Sequence, residues 1–169
     1  LRVLYADFML VRSTTDIISR ILRGIFGLEK TKAWYHRAFE MLTHMRPTVS
    51  PDPVTGLPTM TFDFNPRQEA PDSLPEILKL VERISRERTV VVFDEFQGIL
   101  NLKNHMDIFS AMRGEIQHHG NIPYVFSGSN RQHIDSIFTE EGSPFFKSAI
   151  PVTIGPIPFD EFNAFLTRR

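Results

Sequence analysis

The run Thr89-Val90-Val91-Val92-Phe93-Asp94-Glu95 decides how this chain is read. Thr89 to Phe93 are all β-branched or aromatic, which suits a pleated strand. The run does not alternate with polar residues, so the strand is expected to be buried on both faces, as in a parallel sheet between helices. It then stops on two adjacent carboxylates. Ligands of open α/β sheets bind at the carboxyl ends of the strands, and that is the edge to which Asp94 and Glu95 are delivered. A first carboxylate there can hold Mg²⁺ through water, and a second can orient or deprotonate an attacking water. The structural alternative is that either residue caps the following turn.

Working outward, residues 1–8 form another short apolar run, closing on Asp7, and read as a second buried strand. Ser13, Thr14, Thr15 and Asp16 supply N-cap chemistry for a helix carrying Ile17, Ile18, Ile21, Leu22 and Ile25, with a break expected at Gly27. A second helix is expected with Trp34, Ala38, Met41, Leu42 and Met45 on one face, ended by Pro47. Residues 46–66 change character. Two Thr/Val/Phe-rich runs flank a Pro- and Gly-containing stretch, the pattern of a β-hairpin excursion within a single domain. Ser73 and Glu76 have capping-box spacing ahead of the stripe Leu74, Ile77, Leu78, Val81 and Ile84.

Beyond the deciding run, a helix is expected over about 104–118, with Met106, Phe109, Met112 and Ile116 inward. Strands are expected at 122–126 and 150–154, and a last helix carries Phe159, Phe162, Phe165 and Leu166. Strands alternating with helices argue an α/β parallel sheet with covered faces. The strand at 122–126 ends in Ser127-Gly128-Ser129-Asn130. A hydroxyl at that tip could reach a γ-phosphate or an attacking water, with Gly128 allowing close approach; an ordinary strand-to-loop turn uses the same residues.

Bulk properties narrow the field. The 169 residues balance 19 Lys and Arg against 20 Asp and Glu, a formal charge of −1, so charge gives no case for nucleic acid or an anionic membrane. No cysteine is present, which excludes disulfides, thiolate catalysis and thiolate metal sites. With no apolar run near the roughly 18 residues of a membrane helix and no signal peptide, the chain reads as cytoplasmic. Six histidines include the adjacent pair His118 and His119 and the separated His36 and His44, but no His-Glu-x-x-His, so a structural metal site is not expected. The 15 Phe residues mostly follow core spacing and read as packing.

Three stretches taken together carry a resemblance: Phe93-Asp94-Glu95-Phe96-Gln97, then Met112-Arg113-Gly114-Glu115-Ile116-Gln117-His118-His119, then Tyr124-Val125-Phe126-Ser127-Gly128-Ser129. In this order and spacing they resemble P-loop ATPase domains of the prokaryotic AAA+/STAND type. The segments 143–147 and 154–162 are similar to the closing part of such domains. The resemblance implies a three-layer P-loop NTPase-like sheet flanked by helices, with ATP and Mg²⁺ as cofactors. It implies Asp94 at the Mg²⁺ through water, Glu95 as catalytic base, and Ser127 or Ser129 as sensor. Arg113 and Arg131 are candidates to reach phosphates; exposed ion pairs are the alternative for both. Lys147 stands where such sequences often carry Arg, keeping the charge but not the bidentate fork.

No Gly-x-x-x-x-Gly-Lys-Ser/Thr occurs in the sequence. That loop's amides and Lys hold the β- and γ-phosphates. The resemblance places it just upstream of the strand at 1–7, so residues 1–169 are expected to be a partial domain without its central strand. On that expectation the segment 150–154 either closes against 122–126 or leaves a gap that takes a strand from another copy, giving self-association. The functional expectation is an ATP-hydrolysing domain, inactive without its phosphate loop. The alternative is a nucleotide-independent module, derived from such a domain, that binds a protein partner through the sheet and the 46–66 excursion. A nucleic-acid-associated module is a third reading, without support from charge.

Overall fold

The computed structural model describes residues 1–28, 45–51, 58–64, 70–84 and 88–168, with side chains described for 1–28, 73–83 and 88–168. In chain order the elements are β1 (Arg2–Asp7), α1 (Thr14–Leu28), β2 (Met45–Pro51), β3 (Pro58–Phe64), α2 (Ala70–Ile84), β4 (Thr89–Asp94), a 3-10 helix (Phe96–Asn101), α3 (His105–Ile116), β5 (Tyr124–Phe126), α4 (Arg131–Thr139) and α5 (Phe159–Thr167). β1, β4 and β5 form a three-stranded parallel sheet in that order, with β4 central. The molecule is therefore α/β, as the alternation of strands and helices predicts. β2 and β3 pair antiparallel from Met45↔Phe64 to Pro51↔Pro58, which is the hairpin excursion expected from the sequence.

Register sorts the side chains. Tyr5 lies opposite Val92, Ala6 opposite Phe93 and Asp7 opposite Asp94, while Val91, Val92 and Phe93 lie opposite Tyr124, Val125 and Phe126. Partners across parallel strands share a face, and faces alternate along each strand. One face thus carries Leu4, Ala6, Val91 and Phe93, all buried, with Tyr124 and Phe126 packed against them. Helices cover this side. α1 packs on β1 and α2, and α2 packs on α3. α1 brings Ile17, Ile18, Ile21, Leu22 and Ile25 into the core, and α2 brings Leu74, Ile77, Leu78, Leu80 and Val81. Phe96, from the 3-10 helix, sits among aromatic rings, with centroids 4.7 Å from Phe126, 5.4 Å from Phe145 and 5.5 Å from Phe109. The abundant phenylalanines here are core packing.

The other face carries Val3, Tyr5 and Val125, which are exposed, and the partly exposed Val90 and Val92. Among the described residues nothing packs on it. Among the described residues the architecture is a three-stranded parallel sheet with helices packed on the face of Leu4 and Phe93. β4 reads as a strand buried on both faces because it is continuously apolar, but hydropathy reports what a surface can bury, not whether something covers it.

Three local expectations are corrected. Residues 150–154 form no strand: Ile150, Val152 and Ile154 are about nine-tenths exposed, and no described strand lies beside them. A strand needs a partner's backbone, so side-chain pattern alone does not create one. They also do not close against 122–126, of which only Tyr124–Phe126 is strand. The capping box does not start α2, which begins at Ala70; Ser73 is buried inside the helix and Pro75 lies within it. Finally, α1 runs through Gly27 to Leu28. The helix expected around Trp34, with His36 and His44, falls on residues 29–44, outside the described ones, while Met45 belongs to β2. The side chain of Ile84 is likewise outside the described set.

Candidate functional site

β4 ends at the carboxyl edge of the sheet on Asp94, and the backbone there is tied to both neighbouring strands. Phe8 N–H donates to Asp94 O (2.8 Å), Ser127 N–H to Phe93 O (3.0 Å) and Phe96 N–H to Ser127 O (3.0 Å). These bonds fix the three strand ends relative to one another before any side chain is considered.

Asp94 then accepts from three donors. The Tyr5 hydroxyl donates to Oδ2 (2.6 Å), the Ser127 hydroxyl to Oδ1 (2.7 Å) and the Glu95 N–H to Oδ1 (3.0 Å). Hydrogen bonds to a carboxylate favour its charged form. The bonds from Tyr5 and then Ser127 accordingly hold the Asp94 carboxyl below the ordinary range of 3.8. The same contact, with the Asp94 charge beside it, pushes the Tyr5 phenol up to about 12, so Tyr5 remains a proton donor at neutral pH.

Glu95 is held differently. Its backbone is left-handed, with φ 49° and ψ 40°. For a residue with a Cβ that conformation costs on the order of 1–2 kcal/mol and persists only where the surroundings enforce it. Its Oε2 accepts from the Gln97 side-chain amide and from the Ser129 hydroxyl (3.0 Å). Gln97 is buried on the 3-10 helix, and its Oε1 has no hydrogen-bond partner among the described residues. That oxygen lies against Gly128, where an added Cβ would be 2.0 Å from it. Gly128 is needed for this close approach, not for a turn.

The structure therefore brings together Asp94, Glu95, Ser127 and Ser129, with one serine on each carboxylate. Arg131 opens α4 just beyond Ser129 at the same edge, exposed and 3.4 Å from Asp135 Oδ2. Arg113 is not part of the group. It stands in the last turn of α3, which runs back from the carboxyl edge toward the start of β5, so it lies at the opposite end of the sheet. Lys147 has a left-handed backbone, donates its N–H to Phe138 O (2.9 Å) and places Nζ 4.7 Å from the Phe146 ring centre.

Tyr5 belongs to the site and is not singled out by sequence, and Gln97 belongs to it too, although the run Phe93–Gln97 carries it with no role of its own. Tyr5 is an interior residue of an apolar strand, and only the β1–β4 register puts its hydroxyl on the Asp94 side. Gln97, a polar residue two positions after Glu95, is a signal that could have been followed. Asp7, the register partner of Asp94, uses its Oδ1 to accept from Met9 N–H (2.6 Å), which is a turn-capping role. No protein-family model matches the chain, and none of the curated protein sequences matches it.

Among the described residues, no group of three or more His, Cys, Asp and Glu could hold a metal ion. An ionised carboxylate with a hydroxyl beside it is nevertheless an oxygen set suited to Mg²⁺ held through water, since Mg²⁺ keeps several waters and takes one or two carboxylates. The donors at Asp94 fit that half of a site. No phosphate cradle accompanies them among the described residues.

Proposed function

We propose that this chain carries the metal- and water-handling half of a nucleoside triphosphate hydrolysis site, in an ATPase domain of the AAA+/STAND type. The supporting observation is the paired arrangement at the carboxyl edge. Asp94 and Glu95 leave the end of β4, and each carboxylate takes a hydroxyl from the end of the neighbouring parallel strand, Ser127 on Asp94 and Ser129 on Glu95. On this reading Asp94, kept ionised by Tyr5 and Ser127, holds the waters of a Mg²⁺ ion. Glu95 takes a proton from the attacking water, with Ser129 and Gln97 fixing its carboxylate. When bound, Mg²⁺ neutralises charge developing on the phosphate oxygens. Arg131, at this edge, is proposed as a cation for a phosphate; Arg113 is not proposed for that role.

The experiment is a comparison of two preparations. Residues 1–169 alone, which have no Gly-x-x-x-x-Gly-Lys-Ser/Thr, are expected to bind MgATP weakly or not at all by calorimetry. In a chain extended to carry such a loop, Glu95→Gln is expected to leave ATP bound while hydrolysis falls about 10²–10⁴-fold, the usual loss of a general base. Wild-type turnover by that variant would reduce Glu95 to a structural residue.

A second reading, a nucleotide-independent module that binds protein, is favoured by one observation: the apolar sheet face of Val3, Tyr5, Val92 and Val125 has nothing packed on it among the described residues. Full retention of a partner complex by the Glu95→Gln variant without nucleotide would support it.

A further inference from the structure

The three hydroxyl groups that meet the carboxylates are all turned the same way. Tyr5 donates to Asp94 Oδ2 (2.6 Å), Ser127 to Asp94 Oδ1 (2.7 Å) and Ser129 to Glu95 Oε2 (3.0 Å). Chemistry fixes the direction of each bond. An ionised carboxylate only accepts, so the hydroxyl of each pair is the donor. A hydroxyl has one proton and two lone pairs. With the proton committed to a carboxylate, the oxygen has only lone pairs to offer a ligand.

The carboxylates are filled by the same bonds. The two oxygens of a carboxylate offer about four lone-pair sites. Asp94 uses two at Oδ1, on the Ser127 hydroxyl and the Glu95 N–H (3.0 Å), and one at Oδ2, on Tyr5. At most one site is left, and it is on Oδ2. A cation that takes a carboxylate through both oxygens, as Ca²⁺ often does, finds Oδ1 full. Glu95 Oε2 likewise takes two donors, the Gln97 amide and Ser129, so a further donor meets Oε1. Gln97 Oε1 is one more acceptor here. It is buried against Gly128, which separates the two serines in the chain, and has no donor among the described residues.

This edge is therefore rich in acceptors, with its hydroxyl protons turned inward. Phosphate oxygens are acceptors too, and they find no proton to take from Ser127 or Ser129. A hydrated cation is the reverse. Its charge suits the carboxylates, and its water shell presents only donors. Mg²⁺ dehydrates reluctantly and keeps several of its waters.

We propose that this edge reads the water shell of a hydrated Mg²⁺ ion, through the Asp94 and Glu95 carboxylates and the outward lone pairs of Ser127 and Ser129. On the reading that a metal ion works at Asp94, from which this assignment starts, the two serines are not donors to phosphate. They accept from metal-bound water, and phosphate is left to donors such as the Arg131 guanidinium.

The test uses residues 1–169 and hexaamminecobalt(III), a complex whose ammines do not exchange and present only N–H donors, as the waters of Mg²⁺ present O–H. Backbone amide NMR shifts of Glu95, Ser127 and Ser129 are followed against this complex, Mg²⁺, Ca²⁺ and inorganic phosphate at one ionic strength. The complex is expected to shift these amides saturably, with Mg²⁺ competing, while phosphate leaves them unmoved. Ser127→Ala frees a site on Oδ1 and admits direct coordination. The ratio of hexaamminecobalt(III) to Ca²⁺ affinity is then expected to fall about threefold to tenfold, the worth of one hydrogen bond. Shifts with Mg²⁺ or Ca²⁺ but not with the complex mean direct coordination, and overturn the proposal while leaving a metal at Asp94. Shifts with phosphate, or an unchanged ratio in Ser127→Ala, overturn it as well. No response to any cation overturns it together with the metal reading from which it starts. If circular dichroism shows Ser127→Ala unfolded, Ser129→Ala takes its place, since it frees a site on Glu95 Oε2 in the same way.

Discussion

At the scale of single residues, the site depends on who donates to Asp94 and Glu95. Tyr5 is the largest influence on Asp94, so Tyr5→Phe should move the Asp94 titration upward toward 3.8 while leaving the Ser127 bond in place. A carboxyl carbon NMR titration reads this directly, with Asp94→Asn identifying the signal. The sign for stability follows. A carboxyl depressed in the folded state adds stability above its unfolded pKa and loses it as pH falls through the folded value. The wild type should therefore lose more stability below about pH 4 than Tyr5→Phe does, so that the advantage Asp94 gives it at neutral pH fades in acid. Gly128→Ala tests the other carboxylate. Its Cβ would stand 2.0 Å from Gln97 Oε1 and 2.8 Å from two Ile134 carbons. Gln97 has to withdraw, and its amide leaves Glu95. The expected cost is about 1–3 kcal/mol in urea unfolding, as for overpacking. A variant as stable as wild type would mean that the Gln97 amide is not held where it is described.

At the scale of elements, helix and sheet are joined by close approach as well as by hydrophobic area. α1 crosses β1 at Gly24, where a Cβ would lie 2.6 Å from the Tyr5 carbonyl oxygen and 3.1 Å from Leu4. A backbone atom does not yield as a side-chain tip does, so Gly24→Ala should push α1 off the strand. It is expected to destabilise by more than Gly128→Ala, although alanine is the better helix former; equal or higher stability would show that α1 rides further from the sheet. The same elements show what sequence could supply. β4 and β1 were legible because each gathers its own apolar run, and the hairpin because its turn residues separate two strand-like runs. α1 and α2 were legible by their stripes, and α3 in part: Phe109 and Met112 are buried as expected, but Met106 is exposed and Ile108 enters the core instead. What failed needed non-local information. The pattern at 150–154 is that of a strand, but a strand exists only beside a partner. The Ser73 capping box was overruled because residues from Ala70 onward already take helical geometry. The 3-10 helix after Glu95 has no periodicity long enough to read. In the site, Asp94, Glu95, Ser127 and Ser129 were visible as strand-end residues, while Tyr5 depended on register and Arg113 was misplaced because nothing local says to which end of the sheet a helix returns.

At the scale of the whole molecule, the sheet has a chemical edge and a packed edge, and these respond to pH differently. At the amino end of β5, opposite the carboxylates, His119 is buried, with Nδ1 2.7 Å from the Tyr124 hydroxyl and no hydrogen-bond partner at Nε2 among the described residues. Burial pushes the imidazole below 6.5; Glu82 on α2 and Glu115 on α3 oppose that shift, and His118 adds to it. Burial also raises the Tyr124 phenol, so it stays protonated and partners a neutral ring. Desolvation is the largest of these influences, which fixes the sign. As pH falls below 6.5 the unfolded chain binds a proton at His119 that the native chain does not, so stability declines; above 6.5 both states are neutral there and the effect vanishes. The loss is at most about 1.4 kcal/mol per pH unit for one group. Carboxylates titrate lower, which leaves pH 5 to 6.5 as a window in which histidines dominate. Urea midpoints at pH 7.5 and pH 5.5, taken at one protein concentration because self-association would shift them, should differ in the wild type. His119→Gln lowers stability at both values by removing a packed ring, but the difference between them should shrink. An unchanged difference would place the acid sensitivity on another histidine and leave the His119–Tyr124 pair a purely steric part of the core.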